Sequence, residues 1–441
     1  MMIRRPLGVT FALMLVAAAC GGDDDGGGGA AAGEGCDGEV PEGTEIEIQA
    51  HEGNEPEKLA LEDFVEGFNA SQDAVTASVT FIPEADYANS LSGASAGGDL
   101  AGVDVIEMDA SFAFNYAWNG DLQPIESCVP EELTDDLLPS IVEQGTYADQ
   151  LWALGMFDSG LGLWASRSAL EGVGARIPEG PGDAWTIDEF NQIQADLQAS
   201  GIEQPLDLKV NYGRGEYYSY GFSPIVWSAG GDTIDRSSFE TADGVLNSED
   251  VASALSNLQV WFGEGYVDLN EDDLAFIEGR SVISWVGHWE YGRYSEALGD
   301  DLVLLPLPDF GEGTKTGQGS WQWAMGSEVD ADAAWAFFEY LFTADQIRAM
   351  AEASGGIPAL QSVAEEYGLT AEDGPEFLYV QQHEEGLSVA RPPHPAYGTI
   401  SSAFNEAIGT IVDGGDVQGA LDKAVEVIDE DIADNDGYPE P

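Results

Sequence analysis

The sequence predicts an α/β chain of two domains, each built on a mostly parallel sheet flanked by helices. Three observations predict it. Strand-like and helix-like periods alternate from Thr44 onward, the pattern of a sheet covered by helices. Roughly 400 residues follow an N-terminal leader and spacer, too many for one core. A run from Phe276 to Val286 has the apolar content of a buried strand and stops abruptly in Gly287-His288-Trp289. In open α/β sheets ligands bind beyond the carboxyl ends of strands, so an indole placed there suggests a small-molecule binder. The alternative is that Trp289 fills a core, as most tryptophans do.

The elements follow in order. Thr44 to Ala50 alternates polar with apolar residues as a first strand. Lys58 to Asn69 carries Leu59, Leu61, Phe64, Val65 and Phe68 at helical spacing. Val75 to Ile82 and Val103 to Met108 read as further strands. Helices are expected at Ile187 to Ala199 with Thr186 as N-cap, Ser248 to Phe262, Ala331 to Phe342, Asp345 to Ala353 and Val417 to Ala433. Asp330 or its neighbour caps a stripe of Trp335, Phe337, Phe338 and Leu341, whose period marks a core face.

The N-terminus is a targeting segment. Arg4 and Arg5 precede an apolar run from Leu7 to Ala19 that is too short to span a bilayer. Ala17-Ala18-Ala19 then lead into Cys20, which resembles a bacterial lipoprotein signal over residues 1–19 with Cys20 as the lipidated first residue. Ordinary cleavage near Ala19 with release is the alternative. Residues 20–43 begin as a Gly/Asp-rich spacer with Asp23-Asp24-Asp25 and four consecutive glycines, a flexible tether. The membrane is therefore reached through the lipid only. Of three cysteines, Cys36 and Cys128 remain, and outside the cytoplasm they most simply form one disulfide. No metal site or cofactor is expected.

Charge is extreme, 14 Lys plus Arg against 82 Asp plus Glu, formally −68. Only Lys58, Lys209, Lys315 and Lys423 are lysines. Nucleic acid and other polyanions are excluded as partners, because no basic patch meets them. The acids are dispersed through patterned segments, and such a surface repels itself until salt screens it. A saline habitat is one reading of it.

The order of the pieces resembles the extracellular solute-binding proteins of ABC importers, in the sugar-binding branch that includes the maltose-binding proteins. Gly102-Val103-Asp104-Val105-Ile106, then Trp118-Asn119-Gly120-Asp121-Leu122-Gln123-Pro124, form one station. Leu151 to Met156 with Leu163-Trp164-Ala165 form a second, although Trp164-Ala165 replaces the usual Tyr-Asn. Ala184 to Phe190, Trp227 to Asp232, the run into Trp289 and Ile357-Pro358-Ala359 complete the series over nearly the whole chain. The resemblance implies a two-lobed fold with the ligand cleft at the hinge. Lobe one is expected at 44–156 plus 303–342, and lobe two at 157–302 plus 343–441. It also implies a monomer that delivers a sugar or oligosaccharide to ABC permease subunits.

A sugar needs aromatic platforms and hydroxyl acceptors. By the resemblance Trp289 matches a stacking tryptophan, with His288 in place of a proline, and Asp158 holds the place of a cleft carboxylate. Asp109 and Ser111 follow a strand and face the cleft, or else cap a helix. Further candidates are His51, Glu52 and Asn54; Tyr218, Tyr220 and Trp227; Ser320, Trp321 and Gln322; and Arg391 with Tyr397. The tyrosines could instead pack within lobe two, and Arg391 could pair structurally with a carboxylate.

Enzyme motifs are missing from the sequence. His51-Glu52-Gly53-Asn54-Glu55 lacks the second histidine of a zincin, and Gly317 to Trp321 holds no Gly-x-Ser-x-Gly. Two other readings stay open: a binder of a cationic or zwitterionic solute such as a polyamine or betaine, and a secreted glycoside hydrolase using Asp109 and Asp158.

Overall fold

The computed structural model describes Cys36, residues 38–319 and residues 321–439. The expected leader, Cys20 with its expected lipidation, and Ser320 lie outside the described residues. No helix among the described residues is long and apolar enough to cross a membrane.

Two sheets organise the chain. In the first, Val75–Ile82, Thr44–His51, Val105–Asp109, Trp321–Gly326 and Leu122–Gln123 lie in that order, and Ala153–Gly155 also pairs with Trp321–Gly326. In the second the order is Leu206–Asp207, Ile283–Gly287, Leu161–Ser166, Leu302–Leu305. The sheets are mixed rather than mostly parallel. Thr44–His51 is parallel to both its neighbours and Leu206–Asp207 is parallel to Ile283–Gly287. The strands that bring the chain back, Trp321–Gly326 and Leu161–Ser166, run antiparallel to theirs. Each sheet has its own apolar core. Ile46, Ile48, Phe64, Phe68, Trp323 and Phe337 pack in the first, and Leu163, Phe190, Leu255, Trp261 and Ile283 in the second.

Local chemistry sets the helix ends. Asn54 accepts from the Glu57 N–H while Glu57 reaches back, and Pro56 stands in the first turn, so the first helix starts at Glu55, ahead of the expected Lys58. Thr186 and Glu189 form the same capping box before Ile187–Ser200. The Asp330 carboxylate accepts from the N–H groups of Asp332 and Ala333 at the start of Ala331–Leu341.

One expected element is corrected. The strand expected from Phe276 begins only at Ile283, because Gly279 takes a left-handed φ of +71° and Phe276–Ser281 turns. Leu302–Leu305 completes the second sheet beside Leu161–Ser166. After residue 342, Ile347, Met350, Leu360 and Val363 bury in the first core. They do so because the apolar face of Ala344–Ser354 meets that core.

The sulfurs of Cys36 and Cys128 are bonded, a link across 92 residues that joins the start of the described chain to the first core.

Candidate functional site

Between the two cores runs a strip of rings and charges. At one end Trp321, opening its strand, stacks on His51 at 3.6 Å with the planes 7° apart. His51 ends the first strand, and its Nδ1 lies 2.7 Å from Glu107 Oε2. Its Nε2 faces Glu57 at 3.8 Å. Tyr87 meets Trp321 edge-on at 5.6 Å. This end is a platform of aromatic rings backed by carboxylates.

The middle of the strip is Arg391. Its Nη1 donates to Asp109 Oδ2 and to Glu216 Oε1, each at 2.7 Å. Asp109 closes a strand of the first sheet, whereas Glu216 opens the helix Glu216–Ser228 in the second core. The guanidinium lies over the Tyr220 ring at 4.9 Å and near the Tyr397 ring at 5.9 Å. Burial alone would lower the Arg391 pKa, but Asp109, Tyr397 and Glu216 outweigh it and hold the group as a cation. Burial raises the Glu216 carboxyl against the pull of Arg391. Glu216 also accepts from the hydroxyls of Tyr397 and Ser401.

The other end is Trp289. It is half-buried, and its Nε1 donates to the Tyr212 hydroxyl at 3.0 Å. Tyr220 lies 6.2 Å away at 39°. Tyr212 donates in turn to Glu290 Oε1 at 2.8 Å. Gly287 permits this arrangement, since a Cβ there would sit 2.1 Å from the indole.

A cavity of about 30 Å³ opens beside Tyr87, Met108, Phe112 and Trp321, with Asp109 and Glu216 at it. Ligand clefts usually hold roughly 300 Å³ or more, well above this volume.

Among the expected residues, Trp289, Tyr220, Trp321, His51, Asp109 and Arg391 come together in the strip, with Tyr397 behind it. The others have different surroundings. Asp158 is fully buried and accepts from Ser159 N at 2.7 Å and Gln144 Nε2 at 3.3 Å. Asp109 accepts from Ser111 N and so caps a helix, the alternative already raised, and Ser111 is buried in its first turn. Asn54 caps the first helix and Glu52 pairs with Lys58 at 2.7 Å. Tyr218 packs on Phe222 in the second core. Trp227 is buried and donates to Asp232 Oδ1 at 3.0 Å. Gln322 is fully buried, donating to the Ile141 carbonyl at 3.1 Å.

Sequence reasoning missed Glu216, Glu107, Tyr87 and Tyr212. The scarcity of cations was the usable signal: a buried arginine among so many acids requires close carboxylate partners.

A family model described as bacterial extracellular solute-binding protein matches residues 63–377. No curated protein matches the sequence. The structure is similar to the cyclic α-maltosyl-1,6-maltose binding protein of Arthrobacter globiformis, at 22% identity and TM-score 0.68, over 88% of this chain and 98% of that one. The GacH receptor of Streptomyces glaucescens, solved free and with acarbose, aligns at 18% identity and TM-score 0.73 over 90% and 98%. An ABC transporter solute-binding protein of Thermotoga lettingae bound with α-D-tagatose aligns at 19% identity and TM-score 0.74 over 88% and 99%.

Proposed function

The chain belongs to the bacterial extracellular solute-binding proteins, and from that premise we propose that it captures a sugar or oligosaccharide and hands it to an ABC permease. The strip from Trp321 through Asp109, Arg391 and Tyr220 to Trp289 carries the reading. Ring faces suit the C–H faces of a sugar, and carboxylate and guanidinium groups suit its hydroxyls. Three proteins of the same fold that take a cyclic maltose derivative, acarbose and α-D-tagatose support carbohydrate as the ligand class.

On this reading residues 44–158 with 321–363 move as one lobe and most of the remainder as the other, opening the Arg391–Asp109 contact to admit ligand and closing over it. Lipid anchoring at Cys20, a monomeric state and docking of the closed form on the permease belong to the same proposal.

The cationic-solute reading has less support, because Arg391 already engages both Asp109 and Glu216. The hydrolase reading also weakens, since Asp158 is fully buried and Asp109 is held by Arg391 and Ser111.

A thermal-shift panel of maltose, cyclic maltose derivatives, tagatose, betaine and spermidine tests the proposal, because a ligand of the native form raises the melting point. A sugar is expected to do so equally at low and high salt. A response confined to betaine or spermidine, fading with salt, rejects the sugar reading. Turnover of a chromogenic glycoside that is lost in Asp158→Asn rejects the binding reading altogether.

A further inference from the structure

His288 is one of four histidines in the chain, and it lies buried against Trp289, the rings edge-on at 5.3 Å. Both its nitrogens are engaged. Nδ1 lies 2.7 Å from the Ser354 carbonyl oxygen. A carbonyl only accepts, so Nδ1 carries the proton. Nε2, 3.0 Å from Ser159 Oγ, is then a lone pair to which Ser159 donates. Ser159 Oγ accepts in turn from the Tyr220 hydroxyl at 2.8 Å. One backbone carbonyl therefore fixes the direction of three hydrogen bonds. The last belongs to the ring that sits beneath Arg391 and beside Trp289.

The same chain of bonds ties the two cores. Ser354 ends a helix of the first core. His288 follows a strand of the second sheet. Ser159 lies on the crossing between Phe157–Asp158 and Leu161–Ser166.

We propose that His288 is a positioning residue that couples protonation to ligand capture: the neutral imidazole orders Ser159 and Tyr220 beside Trp289, and the imidazolium reverses that order. A proton arriving on Nε2 turns it into a donor toward Ser159 Oγ. The Ser159 hydrogen must then swing to the Tyr220 oxygen, and the Tyr220 hydrogen must leave Ser159. The phenol thus stays bonded to Ser159 as an acceptor and turns its own hydrogen toward its other surroundings beside Trp289, so capture weakens in acid. The coupling to a ligand rests on the binding function proposed above, but the proton order does not.

Several ionisable groups face His288. Glu57 and Asp158 favour its protonation. His383 hydrogen-bonds the Ser159 carbonyl at 3.0 Å, Tyr379 lies edge-on at 6.4 Å, and Glu376 meets the same Gly355 that abuts the His288 carbonyl. Burial outweighs the carboxylates and lowers the His288 pKa, which puts the change on the acid side of about 6.5.

Nitrogen-15 labelling of the histidines in the full chain reads the tautomer directly, with His288→Gln supplying the assignment. The expected state at about pH 7.5 is the Nδ1–H tautomer, with Tyr220 ring resonances following the His288 titration curve. With maltose as the probe, wild-type affinity is expected to fall at least about threefold from roughly pH 7.5 to the acid side of the His288 titration that the nitrogen-15 spectra trace, and the same ratio to stay within about twofold in His288→Gln. An Nε2–H tautomer overturns the inference. So do Tyr220 resonances that ignore the titration, or an acid loss that survives in His288→Gln. Failure of maltose and the other sugars to bind at either pH counts against the sugar reading alone, and the tautomer and Tyr220 measurements still decide the proton order.

Discussion

Two buried cations, Lys209 and Arg391, look alike in composition and differ in what they join. Lys209 Nζ meets Asp273 at 2.8 Å, Glu290 at 3.2 Å and Asp207 at 3.4 Å, with the rings of Tyr212 and Tyr294 about it. Burial would lower its pKa, but Tyr212, Tyr294, Asp207 and Glu290 together raise it. Its backbone takes a left-handed φ of +54°, steadied by the Asp207 carboxylate on its own N–H. All of these partners lie around the second sheet. Arg391 instead takes one carboxylate from each half, Asp109 and Glu216. The first cation consolidates one core, while the second ties a strand end of the first sheet to a helix of the second core. Similar geometry therefore carries different consequences for folding and for binding.

Breaking each in turn tests that contrast. Lys209→Met is expected to have the largest effect, a loss of about 3–5 kcal/mol, because three carboxylates are left beside an apolar stem. Urea unfolding followed by circular dichroism measures it. A loss below about 1 kcal/mol would remove Lys209 from the structural side of the comparison. Trp289→Ala is expected to weaken sugar binding by about 2 kcal/mol, as a central aromatic anchor does. Calorimetry that finds an unchanged constant removes Trp289 from the site. Arg391→Met is expected to destabilise by only about 1–2 kcal/mol, less than a sealed pair, because parting the halves rehydrates Asp109 and Glu216. Small-angle scattering should then show a larger radius of gyration for the ligand-free variant, and an unchanged radius would deny Arg391 its bridging role.

The smallest effect concerns His394, on the segment that carries Arg391. Its Nδ1 accepts from the Ala396 N–H at 3.2 Å, and burial pulls its pKa down to about 4. A folded value below the unfolded one, about 6.5, means that its contribution is complete above pH 6.5 and is lost as pH falls toward 4. His394→Gln should flatten the melting temperature over that window relative to wild type. An identical slope in the variant would assign the acid sensitivity to other groups.

Much of the architecture was legible because it is local. Thr186 and Glu189 announce a helix by their spacing, and the Phe337, Phe338, Leu341 stripe announces a core face. The helix Glu216–Ser228 was not legible, since Gly221 and Pro224 argue against a helix that tertiary burial nevertheless imposes. The strand expected from Phe276 failed for the converse reason: its apolar content is real, but Gly279 turns the chain. The site divides the same way. Trp289 stood out through the glycine before it. The partners of Arg391 lie 282 and 175 residues away among 82 acids, and no local pattern selects them. Asp158 was expected in the cleft because it holds the place of a family carboxylate, and an aligned position carries no information on depth; in the structure it is fully buried.

The bond between Cys36 and Cys128 has a mechanical corollary. Tension applied upstream of residue 36 enters the body through a covalent link near Ile125 and Leu137, members of the same cluster as Cys128. The interior strand Thr44–His51 is thereby shielded from peeling. Force delivered this way pulls first on the core that holds Cys128.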